Sequence, residues 1–301
     1  MSPEEEFERE RPHLISVAYR MLGSRAEAED VAQEAWLRFD KARRETDIND
    51  LRGWLTTVVG RLSLDVLKSA RVRREAYPGQ WLPEPVVTRL DDPAERVTQR
   101  TEVGLALLVI LEKLTPEQRV ALVLHDAFAV PYEEIADVLH TSVAAARQHA
   151  SRGRRAVAED RARHNADLPE QRRVLEAFMT AADSGDIQAL AAVLAPDVVS
   201  IGDGGGVVNA GSRVVAGADR VARFWIGLIN RRLRTMTDMT MTPVLVNGDL
   251  GLFAHGRFAD GREFRSVMTL AVADGRVTAV YNQLNPGKLG DIETLGLVDD
   301  V

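Results

Sequence analysis

Five side chains in one stretch have the chemistry of a reader of surfaces: Arg147, Gln148, Ser151, Arg152 and Arg155. Their spacing places them on one face of a helix, and no acid interrupts the run between Ser142 and Arg155. Guanidinium and amide groups present forks of donors, which suit base edges in a DNA major groove and the phosphates beside it. Val143, Ala146, Ala150 and Val157 recur on the other face, small apolar residues suited to packing. Ser142 supplies a cap for the helix. A shorter helix from Pro131, with Ile135, Ala136 and Leu139 at helical spacing, precedes it. His140 occupies the turn between them, where a residue tolerant of positive φ is needed. The pattern predicts a helix-turn-helix, although a solvated basic helix in a bundle has the same composition.

A second basic cluster lies upstream. Between Leu51 and Arg74 there are Arg52, Arg61, Lys68, Arg71, Arg73 and Arg74 against one acid, Asp65. The chain as a whole carries a net charge of −7 over 301 residues. Two basic patches in an acidic chain point to local phosphate contacts, with the remaining charge opposing non-specific binding. The absence of cysteine excludes disulfides, thiolate catalysis and cysteine-based zinc sites. His13, His125, His140, His149, His164 and His255 show no ligand spacing, so no metal site and no cofactor are expected. The acidic start, Met1–Arg11, does not read as a signal peptide, and the longest apolar run, Leu105–Leu111, is too short to span a bilayer. A cytoplasmic protein without membrane contact is expected.

The elements that position these groups fall into three regions. Phe7–Leu22 reads as a helix ending at Gly23, and Ser24–Glu27 as a capping box opening a helix to about Lys41. That helix buries Ala28, Val31, Ala35 and Phe39 and turns Glu27, Asp30, Gln33, Glu34 and Leu37 outward, an acidic face with a leucine in it. Trp54, Val58, Leu62 and Val66 mark a third helix, Trp54–Ala70. Residues 76–93 hold four prolines and read as a linker. Its Trp81 and Leu82 have no local core and need one elsewhere. Helices resume from Ala94 to Leu114, and Thr115-Pro116-Glu117-Gln118 is a strong helix start. After Pro169 the pattern changes: helices at 170–184, 187–194 and 218–230 accompany strand-like runs at 198–201, 207–210, 239–246, 250–258, 264–273 and 277–283. Asn247-Gly248 and Asp274-Gly275 are hairpin turn signals. This region reads as an α+β domain with a curved antiparallel sheet.

With these residues in view, Phe7–Val157 resembles a bacterial extracytoplasmic-function sigma factor. AEAEDVAQEAWLRF is similar to the region 2 helix that grips the β′ clamp of core RNA polymerase, which implies polymerase contacts by Asp30, Gln33, Glu34 and Leu37. GWLTTVVGRLSLDVLKSARVRRE is similar to the segment that melts and reads the −10 element. The resemblance implies DNA contacts there by Arg61, Asp65, Lys68, Arg71, Arg73 and Arg74, with Asn49 and Asp50 in a loop holding a flipped base. LTPEQRVALVLHDAFAVPYEEIADVLHTSVAAARQHASRGRR is similar to region 4, which implies −35 contacts by Arg147, Gln148, Ser151, Arg152 and Arg155, a phosphate contact by Arg154, and docking on the β flap. His140, Thr141 and Pro131 depart from the usual turn and cap residues, none on the reading face. WLPEP (Trp81–Pro85), DGGG (Asp203–Gly206) and NPGKL (Asn285–Leu289) resemble a subgroup with a C-terminal SnoaL-like cone. That implies control in cis, with Trp81, Leu82, Pro83, Asp203, Gly204, Gly205 and Gly206 as regulatory contacts, and no obligatory anti-sigma factor. The expected organisation is multidomain: two all-α sigma domains (region 2 bundle, 1–75; region 4, 94–160), a linker at 76–93, and the SnoaL-like domain at 169–301. The last is expected to dock on region 2 and the linker.

A different class of function attaches to the α+β region, whose cone should enclose a pocket. An unknown small ligand there, or an acid–base enzyme using Asp203, His255 or Asp260, is the alternative. No paired acid–base spacing supports catalysis, and Asp203 before three glycines has the character of a turn residue.

Overall fold

The computed structural model describes residues 2–75, 77–90, 104–161, 164, 166–211 and 213–296; at 70–75, 159–161, 233, 291, 293 and 294 it describes the backbone alone. The chain divides into two compact units, Met1–Ala76 with Leu107–Asp160, and Tyr77–Ala106 with Arg161–Val301.

The first unit is all helix. Ser2 and Glu5 form a capping box that opens α1 (Pro3–Leu22), which Gly23 closes in the left-handed region. Ser24 caps α2 (Arg25–Ala42), and α3 spans Leu51–Glu75. The chain returns with α4 (Leu105–Leu111) and α5 (Pro116–Leu122), the latter opened by the Thr115–Gln118 capping box. A π-helical turn at Val123–Ala127 follows, then α6 (Tyr132–Leu139) and α7 (Val143–Arg161). His140 closes α6 at φ 52°, as the turn demands.

Helix α3 is the shared wall of this unit. Val58 and Leu62 are buried, but so are Leu55, Val59, Gly60, Ser63 and Leu67. The second stripe exists because α3 packs on α1 and α2 and also on α5 and α6. A Cβ on Gly60 would lie 3.0 Å from Leu124 Cδ1 and 3.5 Å from Val138 Cγ1. Thr57 Oγ1 donates to Glu134 at 3.1 Å. His13 ties the same wall to the π turn: it accepts from Arg52 at Nδ1 (3.0 Å), meets Thr56 through Nε2 (3.0 Å), and lies edge-on to Phe128. Burial, then the neighbouring Arg52 and Arg20, pushes the His13 pKa down to about 4, so the ring stays neutral at physiological pH.

The second unit packs three helices on a mixed sheet. Asp167 caps α8 (Leu168–Ser184), Asp186 caps α9 (Ile187–Val193), and α10 spans Ala218–Thr235. The strands are β1 (Val87–Arg89), β2 (Leu194–Asp203), β3 (Val215–Ala216), β4 (Met236–Val246), β5 (Asp249–Phe258), β6 (Glu263–Ala273) and β7 (Arg276–Gln283). Their order is β1-β4-β5-β6-β7-β2-β3, antiparallel except for the β2–β7 pair. Asn247-Gly248 and Asp274-Gly275 turn the two hairpins with positive φ at all four residues. Phe178, Leu190, Val221, Trp225 and Val280 centre the core between helices and sheet.

Several elements differ from the sequence reading. The sheet is not wholly antiparallel, because β2 runs beside β7 in parallel, β3 lies outside the predicted strand runs, and the returning helix is formed only from Leu105, Gly104 being non-helical. Val207–Ala210 is a turn, because Val207 and Val208 donate back to the Gly204 carbonyl (3.0 and 2.9 Å) and pair with no strand. The linker contains β1, which pairs with the edge of β4, Val87 opposite Val246. The predicted start at Ala94 of the returning helix lies outside the described residues.

The close approach at Gly60 generates a prediction. Gly60→Val inserts two methyl groups between α3 and Leu124, and overpacking of this kind costs about 1–3 kcal/mol. A urea midpoint unchanged from wild type would show that α3 is not packed this way in solution.

Candidate functional site

Two exposed faces in the helical unit and one buried cluster in the α+β unit gather the polar chemistry. On α2, Asp30, Gln33, Glu34 and Leu37 are all exposed, Leu37 at 57%, with Glu34 paired to Arg38 one turn on (3.2 Å). A leucine this open in an acidic surface has no packing role within its own helix. Along α3, Arg61, Asp65 and Lys68 are exposed, and Lys68 stands 4.0 Å from Glu117. Asn49 and Asp50 sit exposed before α3, where Asp50 Oδ1 accepts from the Gly53 amide at 3.0 Å and serves as its cap. The backbone of Arg71, Arg73 and Arg74 is helical, and their side chains lie outside those described.

On α7, Arg147, Gln148, Ser151, Arg152 and Arg155 all face solvent, while Ala146, Ala150 and Gly153 are buried. Gly153 lets α7 lie close on α5: a Cβ there would meet the Gln118 carbonyl at 3.2 Å. Arg147 is loosely held, 3.8 Å from Glu133 and over the Tyr132 ring at 5.4 Å. Arg154 differs. It grips Asp126 with two hydrogen bonds (2.7 and 2.8 Å) and Tyr132 with a third, so its guanidinium is spent on holding α7 to the π turn.

The buried cluster centres on Asp203, which has no exposed surface. Its Oδ1 accepts from the Tyr77 hydroxyl (2.7 Å) and the Gly205 amide (3.0 Å). Its Oδ2 accepts from the Leu82 amide (3.0 Å), Lys288 Nζ (2.7 Å) and Gln283 Nε2 (3.5 Å). Lys288 also donates to the Leu82 carbonyl (2.6 Å) and lies over the Trp81 ring at 4.3 Å. Gln283 donates to the Pro83 carbonyl and Asn285 to the Tyr77 hydroxyl. Burial, then the bond to Asp203, raises the Tyr77 pKa and keeps the phenol a donor. The glycines after Asp203 are required by space. A Cβ on Gly204 would strike the Val208 carbonyl, one on Gly205 the Asn285 side chain, and one on Gly206 the Pro78 ring at 2.6 Å.

Comparison with known proteins agrees with this partition. Residues 7–73 match the Sigma-70 region 2 family, 104–157 the Sigma-70 region 4 family, and 175–280 the SnoaL-like domain family. Over 289 residues the chain is 47% identical to the ECF RNA polymerase sigma factor SigJ of Mycobacterium tuberculosis (strain ATCC 25618 / H37Rv), covering 94% of this chain and 92% of that protein. The chain belongs to the extracytoplasmic-function sigma factors. It is also 35% identical over 282 residues to the probable ECF RNA polymerase sigma factor SigI of the same organism. A crystal structure of M. tuberculosis SigJ matches with a TM-score of 0.75 at 44% identity, covering 95% of this chain and 98% of that one.

In this sigma factor Trp81, Leu82 and Pro83 and the Asp203–Gly206 loop come together within the α+β unit. Sequence reasoning missed the residues that complete the cluster: Tyr77, Gln283 and Lys288. Lys288 stands inside the NPGKL motif, and a lone lysine beside a turn was the available signal. Asp203 is not an ordinary turn residue; it is the acceptor of a five-donor shell. Of the acid–base candidates, Asp260 is exposed and paired with Arg262 (2.7 Å), and His255 stacks on Phe253. Neither these two nor Asp203 lines the cavity bordered by Trp225 and Phe264 in this unit.

Removing one partner of a buried pair strands the other, at a cost of about 3–5 kcal/mol. Asp203→Asn and Lys288→Met are each expected to lower stability on that scale and to open the 77–85 segment to protease. The double variant is expected to recover part of the loss. Single variants that melt and digest like wild type would remove the pair from the architecture.

Proposed function

We propose that this sigma factor directs core RNA polymerase to specific promoters, and that its α+β unit modulates that activity in cis. The observation that carries the reading is the presence in one helical unit of an open acidic face with a leucine in it and an open arginine-rich face on a helix-turn-helix. Residues 1–75 bind the β′ clamp through Asp30, Gln33, Glu34 and Leu37. They engage the −10 element through Asn49, Asp50, Arg61, Asp65 and Lys68, with Arg71, Arg73 and Arg74 on phosphates. Residues 94–160 dock on the β flap and set Arg147, Gln148, Ser151, Arg152 and Arg155 in the −35 major groove.

The packing of α3 on α5 and α6 bears on how this works. A compact unit of about 130 residues has a radius of gyration of about 14 Å. Elements named for positions −35 and −10 are separated by about 25 base pairs, roughly 85 Å of duplex at 3.4 Å per step. One closed unit cannot read both, so polymerase binding parts the α3 interface. The linker at 76–93 joins the parting halves, and its Tyr77–Arg89 portion is held by the α+β unit at 169–301. The SnoaL-like domain thereby sets the length of free tether, a restraint that requires no dedicated anti-sigma factor.

Run-off transcription over a promoter library with purified core polymerase tests the reading. Arg147→Ala is expected to relax base preference at one −35 position by about 1–3 kcal/mol. Equal losses on every −35 variant would demote Arg147 to a backbone contact. Leu37→Asp is expected to weaken core binding in a pull-down while circular dichroism stays unchanged, and undiminished binding would rule out this face as the clamp contact.

A further inference from the structure

The α+β unit encloses a cavity of about 840 Å³ between α10 and the concave face of the sheet. Its floor is apolar and aromatic, with Phe224, Trp225, Leu228, Phe258 and Phe264 among the lining residues. Its polar lining is one-sided. Arg213, Arg231, Arg232, Arg262 and Arg265 line it against a single acid, Glu263, among the described residues. Glu263 already faces Arg265 at 3.1 Å and Arg257 at 3.9 Å, and Arg262 is held by Asp260.

Arg232 is different from the others. It is 9% exposed, lies over the Phe264 ring at 4.3 Å, and pairs with no carboxylate among the described residues. Burial alone pulls its pKa down to about 10, with no neighbouring charge acting on it. A buried guanidinium without a counter-charge is costly to the fold, and an aromatic face offsets only a small part of that cost. Asn282, another lining residue, is 5% exposed, and its side-chain carbonyl oxygen has no hydrogen-bond partner among the described residues. An unpaired buried cation, an unpaired buried acceptor and an aromatic floor define a complementary molecule: one anionic group, one hydroxyl or amine donor, and an apolar ring or branched body.

We infer that this cavity is a binding site for a small amphipathic organic anion, with Arg232 as its counter-charge. The occupant would touch two segments already described, since Val207–Ala210 and Pro286 and Leu289 form part of the cavity wall. These flank the glycine loop and the lysine that fix the linker on Asp203. The inference concerns the α+β unit and is read by binding, so its failure is separate from failure of the transcription reading.

The test titrates the full chain with two fluorescent probes of one skeleton, anionic 8-anilinonaphthalene-1-sulfonate and uncharged N-phenyl-1-naphthylamine. The anion is expected to bind saturably, one per chain. Arg232→Met is expected to weaken it by about tenfold or more and the uncharged probe by less than about twofold, a difference that reads charge and not shape. Removing an uncompensated buried cation should also leave the melting temperature equal to or above wild type. Leu228→Trp, which fills the cavity without touching charge, is expected to abolish binding of both. Absence of saturable anion binding, equal effects of Arg232→Met on both probes, a marked fall in its melting temperature, or unchanged binding in Leu228→Trp would each overturn the inference.

Discussion

A carboxylate with no exposed surface is costly to the fold unless hydrogen-bond donors surround it, and Asp203 draws its donors from three separate parts of the chain. Tyr77 and the Leu82 amide come from the linker, Gly205 from the loop after β2, and Gln283 and Lys288 from the segment after β7. The requirement fixes the linker's path in register, since a shift by one residue would leave the Leu82 amide and an Asp203 oxygen unmatched. It also explains the run of small residues, because a loop wrapped this tightly around its own aspartate has no room for a Cβ. Once Tyr77–Pro83 is seated, the following residues reach the sheet edge. Val86 exchanges hydrogen bonds with Asn247, the turn residue of the β4–β5 hairpin, and β1 continues the ladder.

The helical unit faces the opposite problem. Helix α3 is apolar on two sides, so neither half of the sigma module can hide all of it alone. Closure against α5 and α6 buries the second stripe through Gly60, Leu124 and Val138. The faces proposed for polymerase and DNA lie outside that closure: Leu37 on α2 and Arg147, Arg152 and Arg155 on α7 are exposed in the closed unit. Under the proposed opening, parting the two halves would break this α3 interface with α5 and α6, while the packing of α3 on α1 and α2 would remain.

Local physics was legible in the sequence and long-range physics was not. The Thr115–Gln118 box, the αL cap at Gly23, His140 at its turn and the two Asx-Gly hairpins are decided by residues a few positions apart, and each stands where the pattern placed it. The exposed faces of α2 and α7 follow from period alone. By contrast, Asp203 meets its partners 121 and 126 residues upstream, and nothing beside it distinguishes a buried ion-pair centre from a turn. Strand β1 is three residues long and exists only because β4 offers an edge. Val207–Ala210 has strand composition, yet Gly204 lets the backbone close on itself first. Gly60 and Gly153 are contact points between helices, which no local pattern around them signals.

In the α+β unit the part-buried Lys288 and the buried Arg232 are treated differently by the fold, and the contrast separates architecture from recognition. Lys288, with its side chain 13% exposed, meets a carboxylate, a backbone carbonyl and two aromatic rings, so its burial is compensated by groups the chain itself supplies. Arg232 lies over the Phe264 ring and lines the cavity. Stability alone would favour a leucine or methionine at that position, since an uncompensated charge weakens the native state relative to an apolar side chain of similar volume. Helix α10 keeps an arginine there, in a cavity also lined by Asn282, whose side-chain oxygen has no partner among the described residues. Local polar mismatches of this kind are expected where a site waits for a molecule from outside. The cavity walls are continuous with the segments that hold the linker, so the same loop that closes around Asp203 also borders the space in which that mismatch would be resolved.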